Sequence, residues 1–284
     1  MSPTLFAARL GLARGWAEFQ QSLTNPQELG FQVFFAVVFA VVLFFQRDST
    51  VEGTSISLAM ATLPSILGMM VAVGGSSGAA GSLSVEREDG TLLRAKAIPH
   101  GMVGYLVGRI VSVSLSAVLG LLIILILGLL LVPELAATSL AGWLGLVWVV
   151  ALGLLATLPW GAVLGSLAKH PNSLFVLDMF PIMLITAISG IFYPIVALPG
   201  WVQGIAQVFP IYWLGLGTRF ALLPDSAVAA EIGQSWRGLE TIGVLGAWAI
   251  AGLLVAPAVL RRVARQESGA TMEARKQRAI QRVG

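Results

Sequence analysis

Apolar runs free of charged residues divide this chain: 29–46, 53–85, 110–133, 135–168, 179–218 and 241–260. A helix needs about 20 predominantly apolar residues to cross the hydrocarbon core of a bilayer. The run at 179–218 is too long for one crossing and too short for two full ones. The pattern predicts six spans, at 29–46, 57–83, 106–131, 141–168, 173–192 and 240–260. Backbone groups in lipid must find partners within their own segment, so helices are the expected form. A transmembrane β-barrel would instead show alternating segments of about ten residues. The expected fold class is an all-α polytopic membrane protein.

The polar stretches between the runs carry the remaining information. Residues 1–28 hold Arg9, Arg14, Glu18 and Glu28 and no uninterrupted apolar stretch, which argues against a cleaved signal peptide. Leu5, Leu12, Trp16, Phe19 and Leu23 recur there at helical spacing, predicting an amphipathic helix lying in the membrane interface. Asn25-Pro26 breaks that helix before the first span. Between spans two and three lies an island of charge, with Glu86, Arg87, Glu88, Asp89, Arg94, Lys96 and Arg109. Its acids beside Gly90 suit a helix start, where the helix dipole favours negative charge. After span five, 189–212 contains Pro194, Pro199 and Pro210 among Phe192, Tyr193, Trp201, Phe209 and Tyr212. Prolines so spaced prevent one continuous helix. Short helices dipping into the outer leaflet fit that length and its aromatic content.

Composition supports the membrane reading. The chain of 284 residues is 57% hydrophobic and 11% charged, with mean hydropathy +0.87. Soluble domains carry roughly a quarter charged residues. The absence of cysteine excludes disulfides, thiolate metal sites and cysteine nucleophiles. Both histidines, His100 and His170, fall in polar loops, which argues against a histidine metal site or triad. The formal charge of +3 could suggest nucleic acid, but the basic residues gather at membrane edges. With the N-terminus in the cytoplasm, fourteen Lys and Arg lie inside, and Arg47, Arg219 and Arg237 lie outside. The positive-inside rule then places both termini in the cytoplasm of a multi-pass protein of the cell membrane. The basic tail, 261–284, reads as an anchor on anionic lipid.

Catalytic chemistry is absent from the pattern. The lysines Lys96, Lys169 and Lys276 follow Ala95, Ala168 and Arg275, so no Gly-Lys-Ser/Thr phosphate loop exists. The glycine-rich segment 74–81 lies inside span two and fits close helix packing through small residues. Asp178 is an acid well inside an apolar run and a candidate intramembrane polar site. It equally fits a residue near the inner end of span five that caps the helix or faces a wet groove.

Two segments carry a resemblance to a known family. Glu86-Arg87-Glu88, Gly90-Thr91-Leu92, Pro99, Tyr105-Leu106 and Gly108-Arg109 form the first. Ser189-Gly190-Ile191-Phe192-Tyr193-Pro194, Pro199, Trp201 and Pro210 form the second. In order and spacing they resemble the transmembrane permeases of type-2 ABC exporters, especially the daunorubicin-resistance-like permeases of bacteria. Arg109 stands where many relatives have lysine, and Phe209 replaces a frequent asparagine. Asp178 is not a hallmark of the family.

The resemblance implies a transport subunit rather than an enzyme. Residues 84–97 would form a coupling helix, with Glu86, Arg87, Glu88, Gly90, Thr91, Leu92 and Arg94 gripped by a separate ATPase subunit. ATP and Mg would be bound there, in two copies of that partner, and no cofactor in this chain. Residues 1–28 would be the connecting helix. Residues 190–236 would form re-entrant helices closing an extracellular gate, with Gly190, Phe192, Tyr193, Pro194, Trp201 and Pro210. A second permease, identical or homologous, would complete the path for an amphipathic drug, antibiotic or lipid-like molecule. Spans two and five would supply the dimer face. A glycan or sodium exporter of this architecture, or an ion-coupled secondary transporter using Asp178, stands as the alternative.

Overall fold

The computed structural model describes residues 2–51, 56–168 and 173–266. Ten α-helices arise among them: α1 (Pro3–Ser22), α2 (Pro26–Gln46), α3 (Leu58–Glu88), α4 (Thr91–Ala97), α5 (Gly101–Leu131), α6 (Leu140–Leu167), α7 (Phe180–Ile188), α8 (Gly200–Ala206), α9 (Pro210–Leu222) and α10 (Gly238–Gln266). The described residues hold no β-strand, only an isolated bridge between Thr50 and Ser57. The chain is an all-α polytopic membrane protein.

Local chemistry sets the helix starts. Asn25 and Ser57 accept hydrogen bonds from the first-turn amides of Gln27 (3.0 Å) and Met60 (3.1 Å). Ser139 does the same for Gly142 at 3.2 Å. Such caps satisfy amides that have no partner within the helix. Pro26 and Pro210 occupy first-turn positions, where a missing N–H costs nothing.

Five helices, α2, α3, α5, α6 and α10, are long and apolar enough to cross a bilayer. The predicted fifth span, 173–192, is shorter than expected. Its apolar helical stretch, Phe175–Ile188, is about 21 Å long at 1.5 Å per residue. Pro181 cannot donate to the helical ladder, and the chain winds as a π-turn over Phe175–Met179 just before it. Gly190, at φ +65°, then ends the element in a left-handed turn.

The central element is α3. Of its apolar window 67% is buried, against 17% for α2 and 33% for α5 and α6. Small residues allow its neighbours to approach. A Cβ on Gly68 would stand 2.5 Å from the Leu214 carbonyl oxygen of α9, and one on Gly75 would stand 2.1 Å from Thr157 Oγ1 of α6. On the other side of the α3–α6 contact, Gly161 and Gly165 sit against the carbonyl oxygens of Ser76 and Ala80. The segment 74–81 is thus a packing surface used within the chain. The expected dimer face on span two is already occupied, because this stripe is buried against α5 and α6.

Helices α8 and α9 follow one another across a short turn at 207–209, and α9 is almost wholly buried. That turn is held by indole donors: Trp213 Nε1 bonds the Gln207 oxygen at 2.7 Å, and Trp248 Nε1 bonds the Val208 oxygen at 2.9 Å. Trp248 lies ten residues into α10, about 15 Å from that helix's start. The α8–α9 turn therefore lies well down the bundle and meets the requirement that irregular backbone pack on protein.

The Gly161 contact yields a direct test. Gly161→Ala should destabilise the protein by about 1–3 kcal/mol, the usual cost of overpacking. Gly246→Ala, at a helical glycine with open space around it, should be neutral or slightly stabilising. Thermal unfolding of the purified chain in detergent separates the two.

Candidate functional site

The charged island closes one end of the bundle, called here the proximal end. Glu86 does not sit at a helix start. It lies in the last turn of α3, where the helix dipole disfavours an acid, and it is buried. Three donors offset that cost. Arg14 Nη2 of α1 lies 3.3 Å from Glu86 Oε1, Arg109 Nη2 of α5 bonds the same oxygen, and the Tyr105 hydroxyl donates to Oε2 at 2.6 Å. Glu18 extends the network, 2.7 Å from Arg14 Nε and 3.6 Å from Arg109 Nη1. Burial works against the charge on Arg14, but Glu18 and Glu86 outweigh it and raise its pKa above the ordinary value. Three helices meet on one carboxylate.

Helix α1 reaches this position through glycines. A Cβ on Gly11 or Gly15 would stand 2.3 or 2.4 Å from the carbonyl oxygens of Gly104 and Gly108 on α5. Two small-xxx-small pairs thus cross backbone to backbone. The apolar stripe of α1 faces outward, with Leu5, Leu12 and Trp16 exposed, as a helix lying in the membrane interface requires. That face is free for lipid.

Arg87 also turns inward. Its Nη1 bonds the Ser166 carbonyl oxygen and lies 3.4 Å from that of Gly165 and 3.3 Å from that of Ala168, at the end of α6. A cation there satisfies carbonyls that lack helical partners. The chain reverses at Gly90, φ +77°, with Asp89 Oδ1 accepting from the Thr91 amide at 2.8 Å. Leu92 plugs α4 into a small core with Leu83, Ala95 and Tyr105. Asp89 and Arg94 are exposed, and Thr91 half so, with Arg94 Nη2 3.1 Å from Thr91 Oγ1. The seven predicted coupling residues therefore divide. Glu86, Arg87 and Leu92 hold the segment in place, Gly90 turns it, and Thr91 and Arg94 face outward with Asp89. The side chains of Glu88 and Lys96 lie outside the described residues, as do Lys169 and the tail beyond Gln266.

At the opposite, distal end stands Arg219, counted from the sequence among the outer-side basic residues. It is buried on α9 in a bidentate pair with Glu231: Nε to Oε1 2.5 Å, Nη2 to Oε2 3.1 Å. Its Nη1 bonds Ser65 Oγ of α3 at 2.7 Å and the Gly190 carbonyl oxygen at 3.4 Å. Gly190, Tyr193 and Pro194 share a cavity of about 30 Å³ with this pair. Phe192 offers its carbonyl to Gln46 Nε2 at 3.3 Å. Trp201 is exposed and Pro210 opens α9, and neither lines the cavity. A lone arginine and glutamate twelve residues apart carry no spacing signal, so only the fold reveals the pair.

Asp178 is buried in the π-turn. Ser76 Oγ and Ser77 Oγ of α3 each donate to one of its carboxylate oxygens at 2.5 Å. No lysine, arginine or histidine pairs with it among the described residues.

Residues 45–256 match the family model described as ABC-2 family transporter protein. The chain belongs to that family and is the membrane permease component of an ABC transporter. Membership implies partnership with an ABC ATPase component. A comparison with curated proteins finds no match.

Two substitutions test the buried pairs. Glu86→Ala should destabilise by about 2 kcal/mol or more, below the full cost of orphaning a wholly buried charge because Arg14 is substantially exposed. Glu231→Ala leaves Arg219 buried and unpaired and should cost about 3–5 kcal/mol. Asp89→Asn, which keeps the acceptor for the Thr91 amide, should leave unfolding nearly unchanged. Denaturation of the three variants in detergent gives the ranking, and an unchanged Glu231→Ala midpoint would contradict it.

Proposed function

We propose that this permease serves an ATP-driven exporter, coupled to a separate ATPase through the exposed surface of residues 89–94. The observation carrying this reading is that one continuous helix, α3, joins that surface to the distal ion pair. The foot of α3 is locked by Glu86, and α4 continues from it through the Gly90 turn. Near its other end, Ser65 contacts Arg219, and the Pro64 carbonyl accepts from Thr218 of α9 at 2.6 Å. A push on α4 when the ATPase closes around ATP would tilt α3 and act on α9. The ATPase can shift this equilibrium only by binding one orientation better than the other.

In this reading the proximal end is cytoplasmic, in keeping with the positive-inside count, and α1 is the connecting helix on the membrane face. The α8 and α9 segment is the re-entrant extracellular gate, and the Arg219–Glu231 pair is its latch. Two permeases enclose the path. The exposed apolar face of the π-turn and α7, with Phe175, Val176, Phe180 and Met183, supplies the contact between them. Asp178, held by two serine hydroxyls, ties that short element to α3 rather than carrying an ion. The nearly charge-free spans favour an amphipathic drug, antibiotic or lipid-like cargo.

The test uses the exposed residues, because substituting Glu86 also loosens the fold. Asp89→Asn, which keeps the acceptor for the Thr91 amide, combined with Arg94→Glu should weaken association with the partner ATPase about tenfold, the effect of roughly two surface ionic contacts. Substrate-stimulated ATP hydrolysis should fall with it, while thermal unfolding stays put. If association and stimulation both persist unchanged, residues 89–94 are not the coupling surface.

A further inference from the structure

A second feature of the distal end is a cavity of about 570 Å³ between α6, α9 and the connection at 133–139. That volume lies within the range of small-molecule sites. Small residues leave the room: Ala141 and Gly145 on α6 face Gly217 and Ala221 on α9. The walls are fixed in place. A Cβ on Gly142 would stand 2.4 Å from the Ala221 carbonyl oxygen, and Thr138 Oγ1 bonds the Leu222 oxygen at 3.2 Å. Trp148 and Phe220, both exposed, give the open side of the cavity apolar walls.

Charge distinguishes this cavity from a plain greasy groove. Glu134 and Asp225 both line it and both are exposed. Neither pairs with a basic residue among the described residues. No lysine, arginine or histidine lines the cavity. Elsewhere at this end, Arg219 is matched by Glu231 and Arg237 by Glu240. The cavity is thus apolar inside and uncompensated negative at its edge.

We infer that it binds a cationic amphiphile, with the apolar body against Trp148 and Phe220 and the cationic group beside Glu134 and Asp225. An anionic headgroup would meet two carboxylates and no counter-charge. The site is built within one chain and binding needs no ATPase, so this inference stands apart from the coupling reading.

The experiment measures equilibrium binding of radiolabelled tetraphenylphosphonium to the full chain in nanodiscs of zwitterionic lipid, with empty nanodiscs subtracted. Saturable binding at a single site per chain is expected. Glu134→Gln with Asp225→Asn should weaken it about tenfold, from loss of two exposed ionic contacts. Ala141→Trp, at an exposed position lining the cavity, should weaken it by filling the space without disturbing the fold. Asp48→Asn, an exposed acid away from the cavity, should leave it unchanged. Non-saturable uptake, or saturable binding indifferent to both cavity variants, would overturn the assignment. Equal weakening by Asp48→Asn would also overturn it, reducing the effect to general surface charge.

Discussion

The structure depends on how closely backbones can approach α3. Lipid tails are as apolar as leucine, so helices in a bilayer gain little from hiding apolar side chains against one another. Contact distance decides instead. Gly68, Gly74 and Gly75 on α3, with Gly161 and Gly165 on α6, remove the side chains that would hold the helices apart. The result is a central helix buried along most of its length and ringed by α5, α6 and α9.

Both ends of α3 are tied by charge. At the proximal end a single carboxylate, Glu86, gathers Arg14, Arg109 and Tyr105 from two other helices. At the distal end Ser65 joins the Arg219–Glu231 pair. Such buried pairs are weak evidence for net stability, since desolvation cancels much of their attraction. Their value is positional. Removing one partner strands another charge, so the partners hold a defined geometry. Glu86 fixes where α1 and α4 stand, and Arg219 fixes where the α9 end meets the Gly190 turn. Asp89 and Arg94 are then presented outward from that anchored base.

Much of this was legible in the chain. The apolar runs located five crossing helices within a few residues, because a bilayer imposes a length that composition alone can meet. The segment 74–81 was readable as packing, since glycine has few other uses inside a span. The α1–α5 crossing was also within reach: glycines at 11 and 15, and at 104 and 108, carry the small-xxx-small spacing. The apolar stripe of α1 drew the expectation away from them. The short fifth element was not legible, because Pro181 and Gly190 break a run whose hydropathy continues unbroken past both.

Sequence by itself determined the membrane class, the helical elements and the place of the charged island, because these follow from local composition and from the needs of each backbone segment. Tertiary structure decided which charges of that island face inward. Glu86 and Asp89 are both acids within three residues, yet one is buried under two arginines and the other is exposed. The same holds for Arg219, whose partner lies across a loop and whose burial depends on where α9 is pressed against α3. A charge reads alike in sequence whether it is solvated or paired. Only the packing of distant segments settles which, because it alone sets the dielectric and the partners around the group.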